Sequence, residues 1–499
     1  MDTVEQTNEE RAVLQREKEQ FLKMTKTPIA RLVISLGIPT MINMMVTSIY
    51  NLADTYFVSG LGLRATGAVN VVLSLMSIIQ AIGFTFGMGS GAIVSRLLGS
   101  RKQKEADEVA SSSFFIAGAI GVLIMVLGLC LLSPLMRLLG AIEEVGGGKT
   151  TLQYAKEYSI WILIAAPFMC MSFVMNNLLR AQGKALLSMI GLVIGTGLNL
   201  ILDPLFIYGF HWGMFGAAFA TAISQIVSFC ILLYMFFSGK TIARLKFSSI
   251  SKKFSVYGEV IATGFPSFCR QILASLCTVL LNWAVRPYDG GQAALGVVQK
   301  VFMFAFSISL GLGQGYQPVL GYNYSAKRYD RVKKAYLFTL AFSTVLMTCF
   351  AVVCAILAPY IMRAFLEEED AVAQAVGIST AVDIGVLALR LQCICMPLLP
   401  VNFMASVTYQ VVGNKGIAAI LSVSRQGLFY IPAVLILPRV LKLFGVQCCQ
   451  AVSDLLSFLF AIPFTFMFFN HLKKAQAETP TGEESDEIPV VENSFDADM

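Results

Sequence analysis

Long apolar runs separated by short polar stretches recur along nearly the whole 499-residue chain. Twelve stand out, at 31–57, 67–97, 112–133, 157–179, 185–208, 214–237, 260–284, 294–320, 336–359, 384–411, 417–438 and 446–469. About 20 apolar residues in helical form cross a hydrocarbon core of about 30 Å. The strand-like alternation of a membrane barrel is absent, so helices must satisfy the backbone internally. The pattern predicts an all-α polytopic membrane protein of twelve transmembrane helices.

The runs repeat. GIP at 37–39 is matched by GFP at 264–266, ATGAVNV at 65–71 by ALGVVQK at 294–300, and GMGSG at 87–91 by GQGYQ at 313–317. Pro167 and QGK (182–184) correspond to Pro397 and VGN (412–414), Pro204 to Pro432, and FGA (215–217) to FGV (444–446). Two pseudo-symmetric six-helix bundles follow. Six spans is an even number, so both bundles enter from one side and are parallel repeats. The expected organisation is an N-terminal segment 1–26, a first lobe 27–237, a linker 238–258, a second lobe 259–474 and an acidic tail 475–499. The tail has few apolar groups and is expected to be disordered.

Composition supports the membrane assignment: 56% of residues are hydrophobic and 14% charged, against about 25% charged in soluble domains. Charge placement gives the orientation. With the N-terminus in the cytoplasm, RKQK (101–104), Arg180, Lys184, KTIARLK (240–246), Lys252, Lys253, KRYDRVKK (327–334), Lys473 and Lys474 are all cytoplasmic. That bias obeys the positive-inside rule and puts both termini in the cytoplasm. The net charge of +6 is then a topology signal, and no nucleic-acid partner is expected. The first 26 residues are charged and lack an apolar core, so no cleaved leader is expected.

Several signals point away from enzyme chemistry. GGGKTT at 146–151 has Glu143 where a phosphate loop requires its first glycine. GMGSG and GLGQG follow no strand, and their glycines are read as letting helices approach closely. The two histidines, His211 and His471, lie at span ends, and the eleven cysteines have no metal-ligand spacing. No nucleophile–base constellation is found. Arg270, Lys300, Arg390 and Arg425 lie within spans and are read as pairing structurally, lining a cavity or snorkelling. Asp454 is the deep acid of the second lobe.

A carboxylate at a helix centre costs about 2.5–3.5 kcal/mol on insertion scales, and most acids of this chain avoid that cost by lying in loops. Asp54, in MVTSIYNLADTYFV, and Asp203, in GTGLNLILDPLFIY, do not. Both fall in the outer half of the membrane, and Thr221 reaches a similar depth from the sixth span. Asn199 and Asp203 are four apart and share a helix face, as do Tyr50 and Asp54. Pro204 has no amide hydrogen, which leaves the carbonyl of Leu200 free and marks a gating kink. Carboxylates, an amide oxygen, a hydroxyl and free carbonyls are hard oxygen ligands, suited to a shared proton or a small cation.

The chain resembles the multidrug and toxic compound extrusion (MATE) family over residues 25–470. The resemblance rests on GIP…D in the first span, RAQGK at 180–184, NLILDP at 199–204 and GMFGAAFAT at 213–221. Within that family it resembles the bacterial MepA-like exporters. It implies a two-lobe antiporter of the bacterial cytoplasmic membrane that exports amphipathic or cationic small molecules in exchange for H⁺ or Na⁺. It further implies a coupling site of Asp54, Asp203, Asn199 and Thr221, with Tyr50, Tyr158 and Asn176 as supporting cavity groups. Apart from a Na⁺ at that site no metal is implied, there is no organic cofactor, and a monomer is the family expectation. The rival within the same superfamily is a flippase for lipid-linked saccharides, which the acidic character of the deep charges disfavours.

Overall fold

A computed structural model describes residues 15–141, 143, 149–239, 241–369 and 378–478. The first fourteen residues, the glycines of GGGKTT and the acidic tail beyond Glu478 lie outside them.

Among the described residues the chain is helical, without strands. The first lobe contains α1 (Ile29–Ser59), α2 (Leu63–Gly99), α3 (Gln103–Cys130), α4 (Thr151–Ala181), α5 (Ala185–Pro204) and α6 (Gly213–Phe237). The second contains α7 (Phe254–Val285), α8 (Gly291–Ser325), α9 (Tyr329–Glu369) and α10, which runs as Ile378–Cys395 and Leu399–Val412 around a tight turn at Pro397. The α11 helix starts at Lys415–Val423, widens over Ser424–Tyr430 and continues from Ile431 to Lys442. There a non-helical Lys442, φ 53°, begins α12, which ends at Glu478. By length and mean hydropathy α1 to α10, and the continuous stretch of α11 and α12, are apolar enough to cross a membrane.

The internal repeat is visible in the turns. Gly183 and Gly413, matched in sequence, both take positive φ, 74° and 99°, just after α4 and α10. Glycine adopts that conformation without a Cβ penalty and so ends both helices the same way. Beyond each turn the equivalent bond forms: Asn176 reaches the Ser188 carbonyl at 3.3 Å, and Ser406 reaches the Ala418 carbonyl at 3.3 Å.

The two lobes meet along the half of the bundle that carries the basic loops. A Cβ on Gly315 would collide with the backbone of Gly37, and one on Gly89 with the backbone of Val260 and Gly264. The repeat relates these two close approaches, α8 on α1 and α2 on α7. Farther toward the opposite face Ser48–Ser307 at 2.6 Å and Gln80–Gln271 at 3.0 Å also join the lobes. The glycines of the repeated GIP, GFP, GMGSG and GQGYQ motifs thus let one lobe seat on the other, close approach being what the sequence predicts for GMGSG and GLGQG.

A helix over 15–26 lies across the basic face. Gln20 donates to the Gln182 carbonyl of the first lobe at 2.9 Å, and Arg101 covers the Phe21 ring at 4.4 Å. Its last carbonyls, which have no partner within the helix, receive donors from the second lobe. Asn323 reaches Met24 at 3.1 Å, Arg328 reaches Thr25 at 3.2 Å and Arg331 reaches Thr27 at 2.5 Å. The linker is held just as closely: Gln182 Oε1 accepts from the amides of Ile242 and Ala243 at 2.6 and 3.0 Å.

A Cβ placed on Gly264 meets the Thr85 carbonyl, and overpacking of this kind costs about 1–3 kcal/mol. Gly264→Ala is expected to part the lobes at the basic face. A longer distance between spin labels at Lys104 and Lys333 than in the parent protein checks it.

Candidate functional site

Four helices of the first lobe bring polar side chains to one level, on the side away from the basic face. Asp54 is five residues from the end of α1 and Asp203 one residue from the end of α5, while Tyr158 and Thr221 lie in the early turns of α4 and α6. Tyr158 donates to Asp54 Oδ2 at 3.4 Å and lies 3.4 Å from Thr221 Oγ1. Asn199 Nδ2 serves both Asp203 Oδ1, at 3.2 Å, and Thr221 Oγ1, at 3.3 Å. Thr221 in turn donates to the Ala217 carbonyl at 3.1 Å. The carboxyl groups of Asp54 and Asp203 lie close enough to repel one another, and Tyr50 is near both. All six residues are buried, Asp54 at 4% exposure and Asp203 at 1%.

The cluster holds more acceptors than donors. Among the described residues, Asp54 Oδ1, Asp203 Oδ2 and Asn199 Oδ1 are buried without a hydrogen-bond partner. An unpaired buried acceptor is costly, and three in one place amount to a demand for a proton or a cation. The tyrosine and threonine hydroxyls and the Asn199 amide fix the geometry but leave that demand unmet.

Pro204 shapes the helix beside it. Without an amide hydrogen at this position α5 cannot continue regularly, and the chain widens over Leu205–Gly209, where Phe210 N reaches back to Leu205 O at 2.9 Å. Wide turns of this type inside helices are frequent at functional sites. The same turn aims Tyr208 at the Phe57 carbonyl of α1, 2.7 Å away. That bond ties together the two helices that carry the acids. Tyr208 is a residue the sequence did not single out; it lies at a span end, where a tyrosine reads as an ordinary interfacial anchor.

Asn176 does not join the cluster. It sits toward the opposite, basic end of α4, where its amide oxygen accepts from Arg180 and from the Ser188 hydroxyl at 2.7 Å. Eighteen residues of helix separate it from Tyr158, about 27 Å at a rise of 1.5 Å per residue. Asn176 therefore holds the α4–α5 turn. Arg180, counted with the loop basics in the sequence, is instead buried and bonds Asn177 at 2.7 Å.

In the second lobe Arg425 pairs with Asp454 at 2.7 Å. Arg390 is exposed and reaches the Ala355 carbonyl at 3.4 Å. Arg270 stands over the Phe403 ring at 5.3 Å.

Two lobes of six membrane helices, interrupted near buried polar groups and seated on one another at one face, constitute a transporter fold. The MatE family model matches residues 39–205 and 266–436, one copy per lobe, and the chain belongs to that family. It is 26% identical to the multidrug export protein MepA of Staphylococcus aureus strain MSSA476, over 93% of this chain and 99% of that protein. A multidrug-resistance MATE family transporter of the MOP superfamily, solved in an outward-facing conformation, superposes with a TM-score of 0.84 at 26% identity, covering 91% of this chain and 98% of that one. A MOP superfamily transporter from Pyrococcus furiosus Vc1, for which a reversed pocket polarity is taken to suggest a different function, gives 0.82 at 25% identity, with 91% and 98% covered.

Asn199→Ala removes the donor shared by Asp203 and Thr221 and is expected to destabilise the protein by about 1–3 kcal/mol. Asp203→Asn supplies a donor to an acceptor-rich site and is expected to leave the melting temperature level or higher. Thermal unfolding of the purified variants in detergent reads both effects.

Proposed function

We propose that this chain is a secondary antiporter that exports amphipathic, cationic organic compounds across a bacterial cytoplasmic membrane in exchange for H⁺ or Na⁺. The observation that carries the reading is the donor-poor cluster of Asp54, Asp203, Asn199 and Thr221, with three buried acceptors awaiting a cation. Multidrug export by the MepA relative supports it, as does the concentration of basic residues on one face, taken here as cytoplasmic.

In the cycle we propose, a cavity open to the cytoplasm loads the organic cation while Asp54 and Asp203 are charged. The lobes then rock, and the face away from the basic loops opens. A proton or Na⁺ enters from that side and satisfies the acceptors. Tyr158, Tyr50 and Thr221 hold the carboxylates in place for it, and the bend at Pro204 lets the end of α5 follow the change in charge. The drug loses its electrostatic partner and leaves. Coupling is then a difference in affinity between two states, which the ion gradient drives around the cycle.

Full-length protein in proteoliposomes tests this with rhodamine 123, a cationic dye. Dye movement should follow an imposed proton or sodium gradient, and the arm that works names the ion. Asp54→Asn is expected to slow gradient-driven movement at least about tenfold, the effect of about 1.4 kcal/mol. Movement independent of both gradients would overturn the antiport reading.

A further inference from the structure

The second lobe carries an excess of positive charge at mid-span that its own residues do not neutralise. Arg270 is the seventeenth residue of the 32-residue α7, roughly 22–24 Å from either end at 1.5 Å per residue, too far for its side chain to snorkel to an interface. Among the described residues no carboxylate lies within ion-pair distance of it, and its guanidinium lies over the Phe403 ring. Arg425, at the wide turn of α11, gives its Nε to Asp454 Oδ1, which also accepts from Gln450 at 2.9 Å. Among the described residues its Nη2 is buried without a partner, as is the second oxygen of Asp454. The Arg425 guanidinium lies over Phe302 and Phe306 at 4.9 and 5.1 Å, and Phe306 meets Phe403 edge-on at 5.8 Å. Two guanidiniums are thus joined by a ladder of three rings, with one carboxylate between them.

A charge held in an apolar medium needs a counter-charge. Here the rings attract both cations without neutralising either. The unbalanced positive charge is matched by one monoanion. An Arg270 guanidinium with its hydrogens uncommitted presents the forked donor pair that a carboxylate takes bidentately, and the vacant Arg425 Nη2 adds another donor. Arg270, Phe302 and Phe306 are only half-buried, so a ligand can reach them. Lipid phosphates lie at the ends of the spans, and Arg270 is at the middle.

We propose that Arg270 and Arg425 Nη2 form an oxyanion subsite that takes the carboxylate of an aromatic amphiphile, whose rings lie against Phe302, Phe306 and Phe403. This rests on the exporter reading and narrows its substrate class to zwitterions. The cationic pole is drawn to the acid cluster of the first lobe and the carboxylate to the arginines of the second.

Two dyes that differ only at this group separate the possibilities. Rhodamine 110 has a free carboxylate, and rhodamine 123 is its methyl ester. Full-length protein in phosphatidylcholine nanodiscs is titrated with each, and binding is read by fluorescence anisotropy. The parent protein is expected to prefer rhodamine 110, and Arg270→Gln to reduce that preference at least tenfold. Arg270→Lys, which keeps the charge but not the fork, should fall between the two and guards against a folding defect. Equal affinity for the two dyes, or the same preference in parent and Arg270→Gln, overturns the subsite. So does Arg270-dependent displacement of rhodamine 110 by phosphatidylglycerol, which would assign the arginines to lipid. Gradient-driven rhodamine 123 transport without a carboxylate preference removes the subsite and leaves the exporter. Binding of neither dye removes both.

Discussion

Hydrocarbon offers no hydrogen bonds, so each polar group carried into the bundle must find its partner there or go without. Most of this protein meets the condition locally. Serine and threonine hydroxyls return to the carbonyl one turn earlier, as Thr40 does to Leu36 at 2.7 Å and Thr85 to Ala81 at 2.7 Å. Asn176, Arg180 and Ser188 close a small network of their own. The exceptions among the described residues include amides such as Asn43 and Gln314 and, in each lobe, one cluster that also carries charge. The first-lobe cluster has acceptors to spare, the second has one more guanidinium than carboxylate, and they are built from different residue types on a duplicated frame.

The duplication explains how the two halves can differ chemically and still fit. Matched glycines turn the chain after α4 and α10 and seat the lobes against each other, and these are demands of backbone geometry. Side chains deeper in each bundle are free to diverge. The widened turn follows Pro204 in the first lobe and precedes Pro432 in the second. Beside the first lies Asp203, and within the second lies Arg425. One half has an acid pair and the other an ion pair with a cation left over.

The sequence carried much of this, for reasons that can be traced. Span length and hydropathy are nearly sufficient for a membrane helix, so the twelve segments and the repeat were legible from the run pattern. The acids were legible because charge in an apolar run is costly. Asn199 and Thr221 followed from spacing and depth, and Tyr158 from the family resemblance. Asn176 shows the limit. A polar residue on the correct helix can lie at either end of it, and at its end the nearby Arg180 supplies a local partner. Tyr208 was hidden because an interfacial tyrosine has an ordinary explanation. The pairing of Arg425 with Asp454 spans 29 residues and depends on how α11 and α12 pack, which no local pattern encodes.

The helix over 15–26 has a bearing on the balance between the lobes. Its carbonyls are bound by Asn323, Arg328 and Arg331 of one lobe while its flank is held by Gln182 and Arg101 of the other. Hydrogen bonds of this type each contribute about 0.5–1.5 kcal/mol, and those bridging the lobes persist only while the two stay together. The amino-terminal segment therefore acts as a buckle, and its grip sets part of the free energy needed to unfasten that side of the molecule.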